Sequence, residues 1–243
     1  MPSYRTEAIV LRTHKLAEAD RIITLLTRDR GKVRAVAKGV RRTKSKFGSR
    51  LEPFSRVDLL IHEGRNLDII TQAELLNSYG QDMTLDYPMW TVGQSMLETS
   101  DRLTSEESVS SESQYLLLIG ALRTLTAGEH DPSLVLDAFL LRSLALAGYE
   151  PTLDACVVCG VAGVQPFFHV PSGGAVCGQH RPPGSVAPKN ESIDLIAALL
   201  TGDWAIADIA DMSVQREVTG IVTAYTQWHL ERNLRSLPLV DRH

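Results

Sequence analysis

Aromatic residues, cysteines and long apolar runs are all scarce in this chain, and each shortage narrows what it can be. Phe, Tyr and Trp supply 6% of the 243 residues. No stretch of 18 or more apolar residues occurs, so no membrane-spanning segment is expected. The first residues, Met1-Pro2-Ser3-Tyr4-Arg5-Thr6-Glu7, lack the apolar core of a secretion signal. Three cysteines do not make a disulfide framework and fit a reducing compartment, so a cytoplasmic protein is expected. Several catalytic signatures are missing too: there is no Gly-x4-Gly-Lys-Ser/Thr loop, no His-Glu-x-x-His and no Gly-x-Ser-x-Gly. With 44% hydrophobic residues, the chain can still bury a substantial core and divide into two or three modules.

The three cysteines fall in one pattern with a histidine, Cys156-x2-Cys159-x17-Cys177-x2-His180. Two pairs of soft ligands, each pair one tight turn wide, suit a tetrahedral zinc ion. The spacer reads as a hairpin, with an apolar arm around Phe167 and Phe168, a turn at Pro171-Ser172-Gly173-Gly174 and a return through Val176. Gly160 follows the first pair, where backbone amides must turn toward sulfur. A closed four-ligand site leaves no open position for an activated water, so one structural Zn2+ per chain is expected. His169 lies within the spacer and is the one rival ligand, although it has no paired neighbour.

Charge is distributed very unevenly. Residues 28–56 hold eleven basic and two acidic side chains, a net +9. Residues 1–56 carry +10 and the rest −14, an asymmetry concealed by the overall −4. Such a split points to a local polyanion-binding surface, nucleic acid ahead of anionic lipid. Strand alternation places Lys32, Arg34 and Lys38 on one face, and a basic insert adds Arg41, Arg42, Lys44, Lys46 and Arg50. These eight are the candidate phosphate contacts, which would neutralise a backbone without reading its sequence. Phe47, between Lys44, Lys46 and Arg50, is the candidate for base stacking, with core packing as its alternative. Tyr4 and Phe54 lie in or beside the same module, and Phe54 reads as core.

Period-2 patterning runs from residue 4 to 76 and period-3.6 patterning follows. Five short strands, around 8–11, 22–26, 32–38, 57–61 and 67–75, with an insert from Gly39 to Pro53, predict a closed barrel of the OB type. The insert has room for a short helix or a mobile arm. Helices are expected at 85–103, 112–127, 192–200 and 213–233. Another starts at Asp131-Pro132, as N-cap and N1, and stops at Gly148. The latter is apolar nearly all round, the mark of a helix buried in a bundle. Arg142 is its conspicuous charge, so burial there demands a counter-charge or access to solvent. The expected class is therefore α+β multidomain. Its parts are an OB-type nucleic-acid-binding barrel (1–80), a helical bundle (81–153 and 182–243) and an inserted zinc knuckle (154–181).

That order of parts resembles the bacterial recombination mediator family RecO. The likeness is carried by Thr6-Glu7-Ala8-Ile9-Val10-Leu11-Arg12, by the link Glu18-Ala19-Asp20-Arg21 and by Lys38-Gly39-Val40-Arg41-Arg42. The densest part runs from Phe139 to Pro151 and on into Cys156-Val157-Val158-Cys159-Gly160. One departure is His180, where the family commonly has cysteine. The resemblance implies a non-enzymatic, cytoplasmic, nucleoid-associated role in DNA repair. It implies binding to single- and double-stranded DNA, annealing of complementary strands, and partnership with RecR. It also implies recognition of the acidic C-terminal tail of single-stranded-DNA-binding protein (SSB) during recombinase loading. Arg142 is a candidate contact for that tail, with a structural salt bridge as its alternative. A different class stays open: a metal-dependent nucleic-acid-processing enzyme using the barrel to hold substrate, with Asp82 and Asp86 as conceivable magnesium ligands.

Overall fold

A computed structural model describes residues 2–83, 85–104, 111–230 and 234–240, apart from the side chains of residues 82 and 111. The first five elements are strands: β1 (Ser3–Leu16), β2 (Asp20–Thr27), β3 (Lys32–Ala37), β4 (Ser55–His62) and β5 (Asp68–Ser78). β1 lies antiparallel between β2 and β4, while β2 pairs with β3 and β4 with β5 in the same sense. A short parallel contact, Ala35 to Asp68 and Val36 to Ile69, joins β3 to β5. The sheet thereby closes into an OB-like barrel in the order β1-β2-β3-β5-β4.

Alternation dictates what fills it. In β4, Ser55, Val57, Leu59 and Ile61 are buried while their neighbours are half-exposed. Small residues at Ala8, Ala35 and Ala37 leave space inside the barrel. Val40, Phe47 and Leu51 from the insert join that core. The insert is thus neither helix nor free arm but a chain of turns pinned by its apolar residues. Successive turn bonds run from Arg42 N to Gly39 O, Ser45 N to Arg42 O and Arg50 N to Phe47 O.

Three helices complete the first compact unit, residues 1–127: α1 (Tyr79–Met83), α2 (Tyr87–Leu103) and α3 (Ser111–Ala127). They group with the barrel, whereas the division read from sequence placed residues 81–127 in a helical domain. Side chains explain the grouping. Phe54, fully buried at φ 70°, sets its ring edge-on to Trp90 of α2 at 4.9 Å. Asp101 near the end of α2 pairs with Arg12 (2.9 Å), and Lys32 Nζ donates to the Asp101 carbonyl (2.6 Å). From α3, the Tyr115 hydroxyl donates to Glu7, which Arg56 also holds at 2.7 Å.

The second unit, residues 128–243, contains α4 (Pro132–Leu146), the hairpin β6 (Phe167–His169) and β7 (Gly174–Val176), α5 (Asn190–Thr201), α6 (Trp204–Ala207) and α7 (Met212–His229). Asp131 caps α4 by accepting from Ser133 N and Leu134 N. Ten of the fifteen residues of α4 are buried, as its all-round apolar pattern requires. One of these is Asp137, whose carboxylate accepts from the Thr219 hydroxyl of α7 at 2.6 Å.

Candidate nucleic-acid interface and metal centre

The basic insert leaves the barrel at Gly39, whose φ of 67° turns the chain sharply after β3. The Gly39 N–H donates to the Asp20 carboxylate at 2.7 Å. Arg41 donates its backbone N–H to Ala19 O (3.0 Å) and its guanidinium to Glu18 O (2.7 Å). At the far end Arg21 pairs with Glu52 at 2.7 Å. Between these ties Lys46 Nζ reaches the Thr71 carbonyl (2.8 Å), and Arg50 donates to Lys46 O (2.9 Å).

Arg34, Lys38, Arg41, Arg42, Lys44, Lys46 and Arg50 are all exposed, and none forms an ion pair within the described residues. Those that hydrogen-bond do so to neutral carbonyls, which orient the side chain without cancelling its charge. Elsewhere on the barrel most cations are paired, and among the described residues Lys15 and Arg65 are the exposed exceptions. Arg5 pairs with Asp58, Arg12 with Asp101, Arg30 with Glu63 and Arg56 with Glu7. Uncompensated positive charge is therefore concentrated on the end of β3 and on the insert.

In the second unit, Cys156, Cys159, Cys177 and His180 bring their ligand atoms within 4.8 Å of one another. The first pair sits in a knuckle closed by the bridge between Ala155 and Ala162, with Gly160 at φ 72°. The β6–β7 hairpin carries the second pair alongside it, its turn at residues 170–173, one residue before the expected 171–174. Cys159 Sγ and Cys177 Sγ are 3.9 Å apart, and His180 Nδ1 is 3.2 Å from Cys177 Sγ. Two sulfurs bound to one tetrahedral zinc would stand about 3.8 Å apart. The Cys177 backbone N–H pulls the Cys156 thiol down to about 6 against its burial, with help from the N–H groups of Cys159 and Val158. Cys159 shifts the other way. A bond from Val161 N–H lowers it, but desolvation and the neighbouring thiols Cys156 and Cys177 outweigh that bond. One sulfur poised as thiolate beside two further thiols and an imidazole is a donor set that fits a soft divalent metal.

Known proteins match this chain from end to end. The family model for the N-terminal part of recombination protein O matches residues 1–79, and that for its C-terminal part matches residues 84–238. The DNA repair protein RecO of Streptomyces coelicolor is 56% identical over 248 residues, covering all of both chains. That of Nocardioides is 56% identical over 242 residues, covering 98% of this chain and 99% of its own. The Thermobifida fusca protein is 54% identical over 242 residues, again across both full lengths. The chain belongs to the RecO family. It is accordingly a DNA-repair protein, and the motifs that suggested RecO from sequence lie in both matched regions.

Against this RecO framework three sequence readings change. Phe47 is 1% exposed within the barrel core, so its ring cannot stack on a base. Lys32 is tied to Asp101 by its carbonyl (2.6 Å) and carboxylate (3.4 Å), which removes it from the free basic surface. Among the described residues Arg142 pairs with no carboxylate; its Nε donates instead to Leu200 O at 2.9 Å, at the end of α5. There it meets the negative end of the helix dipole, and a Cβ on Gly202 would approach its guanidinium to 2.4 Å. His169 is engaged by Ser172 at 2.7 Å and stands outside the four-residue cluster. Asp86 caps α2 by accepting from Met89 N, while the Asp82 side chain lies outside the described residues.

Sequence reading also missed residues. Asp20, Arg21 and Glu52 brace the insert, yet none was singled out for it. The available signal was an acid, Glu52, persisting inside the strongly basic segment and another, Asp20, shortly before it.

Proposed function

We propose that this RecO-family protein binds single- and double-stranded DNA through the barrel insert and anneals complementary strands as a recombination mediator. The observation that carries this reading is the set of seven exposed, uncompensated cations, two at the end of β3 and five on the pinned insert. Phosphates attract such a surface whatever the base sequence. Apposing two DNA backbones is repulsive. A fixed cationic face lowers that barrier while leaving bases free to pair, and it consumes no nucleotide. In this role the protein works in the cytoplasm at the nucleoid, with RecR, to help load recombinase on strands coated by SSB.

Cys156, Cys159, Cys177 and His180 are proposed to hold one Zn2+ as a structural centre that stabilises residues 154–181. When bound, the ion supplies fold stability and no reaction step. Arg142 is proposed as a cation that the acidic SSB tail shares with the α5 terminus. Titrating tail peptide against Arg142→Lys and Arg142→Ala tests that contact, and equal affinity in folded protein removes it. The central test is annealing of complementary strands, naked and SSB-coated, with RecR and without nucleotide. Annealed and intact strands support the proposal. Strand cleavage, or no acceleration of pairing, contradicts it.

A further inference from the structure

The segment Glu18-Ala19-Asp20-Arg21 leads from the turn after β1 into the first residues of β2 and carries no cation of the free surface, yet nearly every polar tie of the insert ends on it. Entry to the insert is held by the Asp20 carboxylate on Gly39 N, by Ala19 O on Arg41 N and by Glu18 O on the Arg41 guanidinium. Exit from it is held by Arg21 on Glu52. Consecutive residues Asp20 and Arg21 therefore pinch both ends of one fifteen-residue loop, 39–53, the arrangement that closes an Ω-loop. Inside the pinch, Val40, Phe47 and Leu51 point into the barrel while the cations point out.

We infer that Asp20 and Glu52 are positioning residues for DNA binding: two acids inside a basic surface that strengthen its grip on phosphate by holding the insert in one conformation. This rests on the reading of that insert as the phosphate-contacting surface. It has a counterintuitive sign. By charge alone, deleting an acid from a phosphate-binding module tightens binding. If the clasp orders the loop, deletion instead makes the cations scatter, and each binding event must reorder them.

The experiment uses the full-length protein and a labelled thymidine oligonucleotide at fixed salt. Asp20→Ala removes both charge and acceptor and is expected to weaken binding about fivefold, a fraction of one charge-assisted hydrogen bond. Asp20→Asn removes the charge but keeps an oxygen for Gly39 N–H, and is expected to bind as tightly as the parent or more tightly. Glu52→Ala, which frees the exit, is expected to weaken binding like Asp20→Ala. In parallel, brief trypsin treatment reads loop order directly: cleavage at Arg41 to Arg50 is expected to accelerate in both alanine variants and not in Asp20→Asn. Alanine variants that bind as tightly as the parent, or unchanged cleavage, overturn the clasp. Failure of the parent protein to bind DNA overturns the phosphate reading instead, and the cleavage rates then decide the clasp by themselves.

Discussion

Replacing Arg34, Lys38, Arg42 and Lys44 together by glutamine tests the interface most cleanly, because among the described residues none of these four side chains makes a hydrogen bond or ion pair that the change would break. Arg41, Lys46 and Arg50, which hold the insert through carbonyls, stay in place. Each phosphate neutralised on a single strand contributes about 0.7 to the log-log dependence of affinity on salt. Seven contacts predict a slope near −5, and the fourfold variant should flatten it to roughly −2. Between 50 and 200 mM salt the parent protein should then lose roughly a thousandfold in affinity and the variant about twentyfold. Fluorescence anisotropy across a salt series measures both slopes, with circular dichroism confirming the fold. A variant that is folded and keeps the parent slope would refute the assignment. Loss of affinity for only some base compositions would also contradict it, since phosphate contacts weaken all sequences alike.

Three further outcomes follow from the same geometry. Phe47→Ala should lower stability by about 3–5 kcal/mol, as for other large core truncations. Phe47→Leu, by contrast, should leave DNA affinity unchanged; a tenfold loss in the folded leucine variant would restore base stacking. Arg56 holds the Glu7 carboxyl below its usual range, against partial burial and with help from the Tyr115 hydroxyl. Its stabilisation is therefore present above the unfolded carboxylate range and lost as pH falls through the lowered folded value. Glu7→Gln should flatten the acid limb of a stability–pH curve, and an unchanged limb would remove the pair from the account. Finally, Cys159→Ser should reduce bound zinc and thermal stability while leaving the salt slope of DNA binding unaltered, checked by elemental analysis and scanning calorimetry. Far less than one zinc per chain in folded, active parent protein would reject the metal centre.

What was legible in the sequence was local. Cys156-x2-Cys159 and Cys177-x2-His180 each fix a turn, so the two pairs and the hairpin between them could be read from spacing. Alternation likewise revealed β3 and β5. It understated β1, which begins at Ser3, because Arg5 and Glu7 lie on its outer face and break any apolar run. The illegible parts are contacts between distant residues. Lys32 meets Asp101 sixty-nine positions away, and Arg142 meets Leu200 fifty-eight away. Nothing beside either cation distinguishes it from a free one. Phe47 illustrates the same limit: an aromatic among lysines has one local pattern whether it faces DNA or fills the space left by Ala35 and Ala37.

Photocrosslinking gives the most direct test that the insert is where DNA lies. A single-stranded oligonucleotide carrying bromodeoxyuridine would be bound to the full-length protein at low salt, irradiated and digested, and the attached peptides mapped by mass. Crosslinks concentrated in residues 34–50 are the predicted result. Crosslinks confined to residues 128–243, with none in the barrel unit, would contradict it.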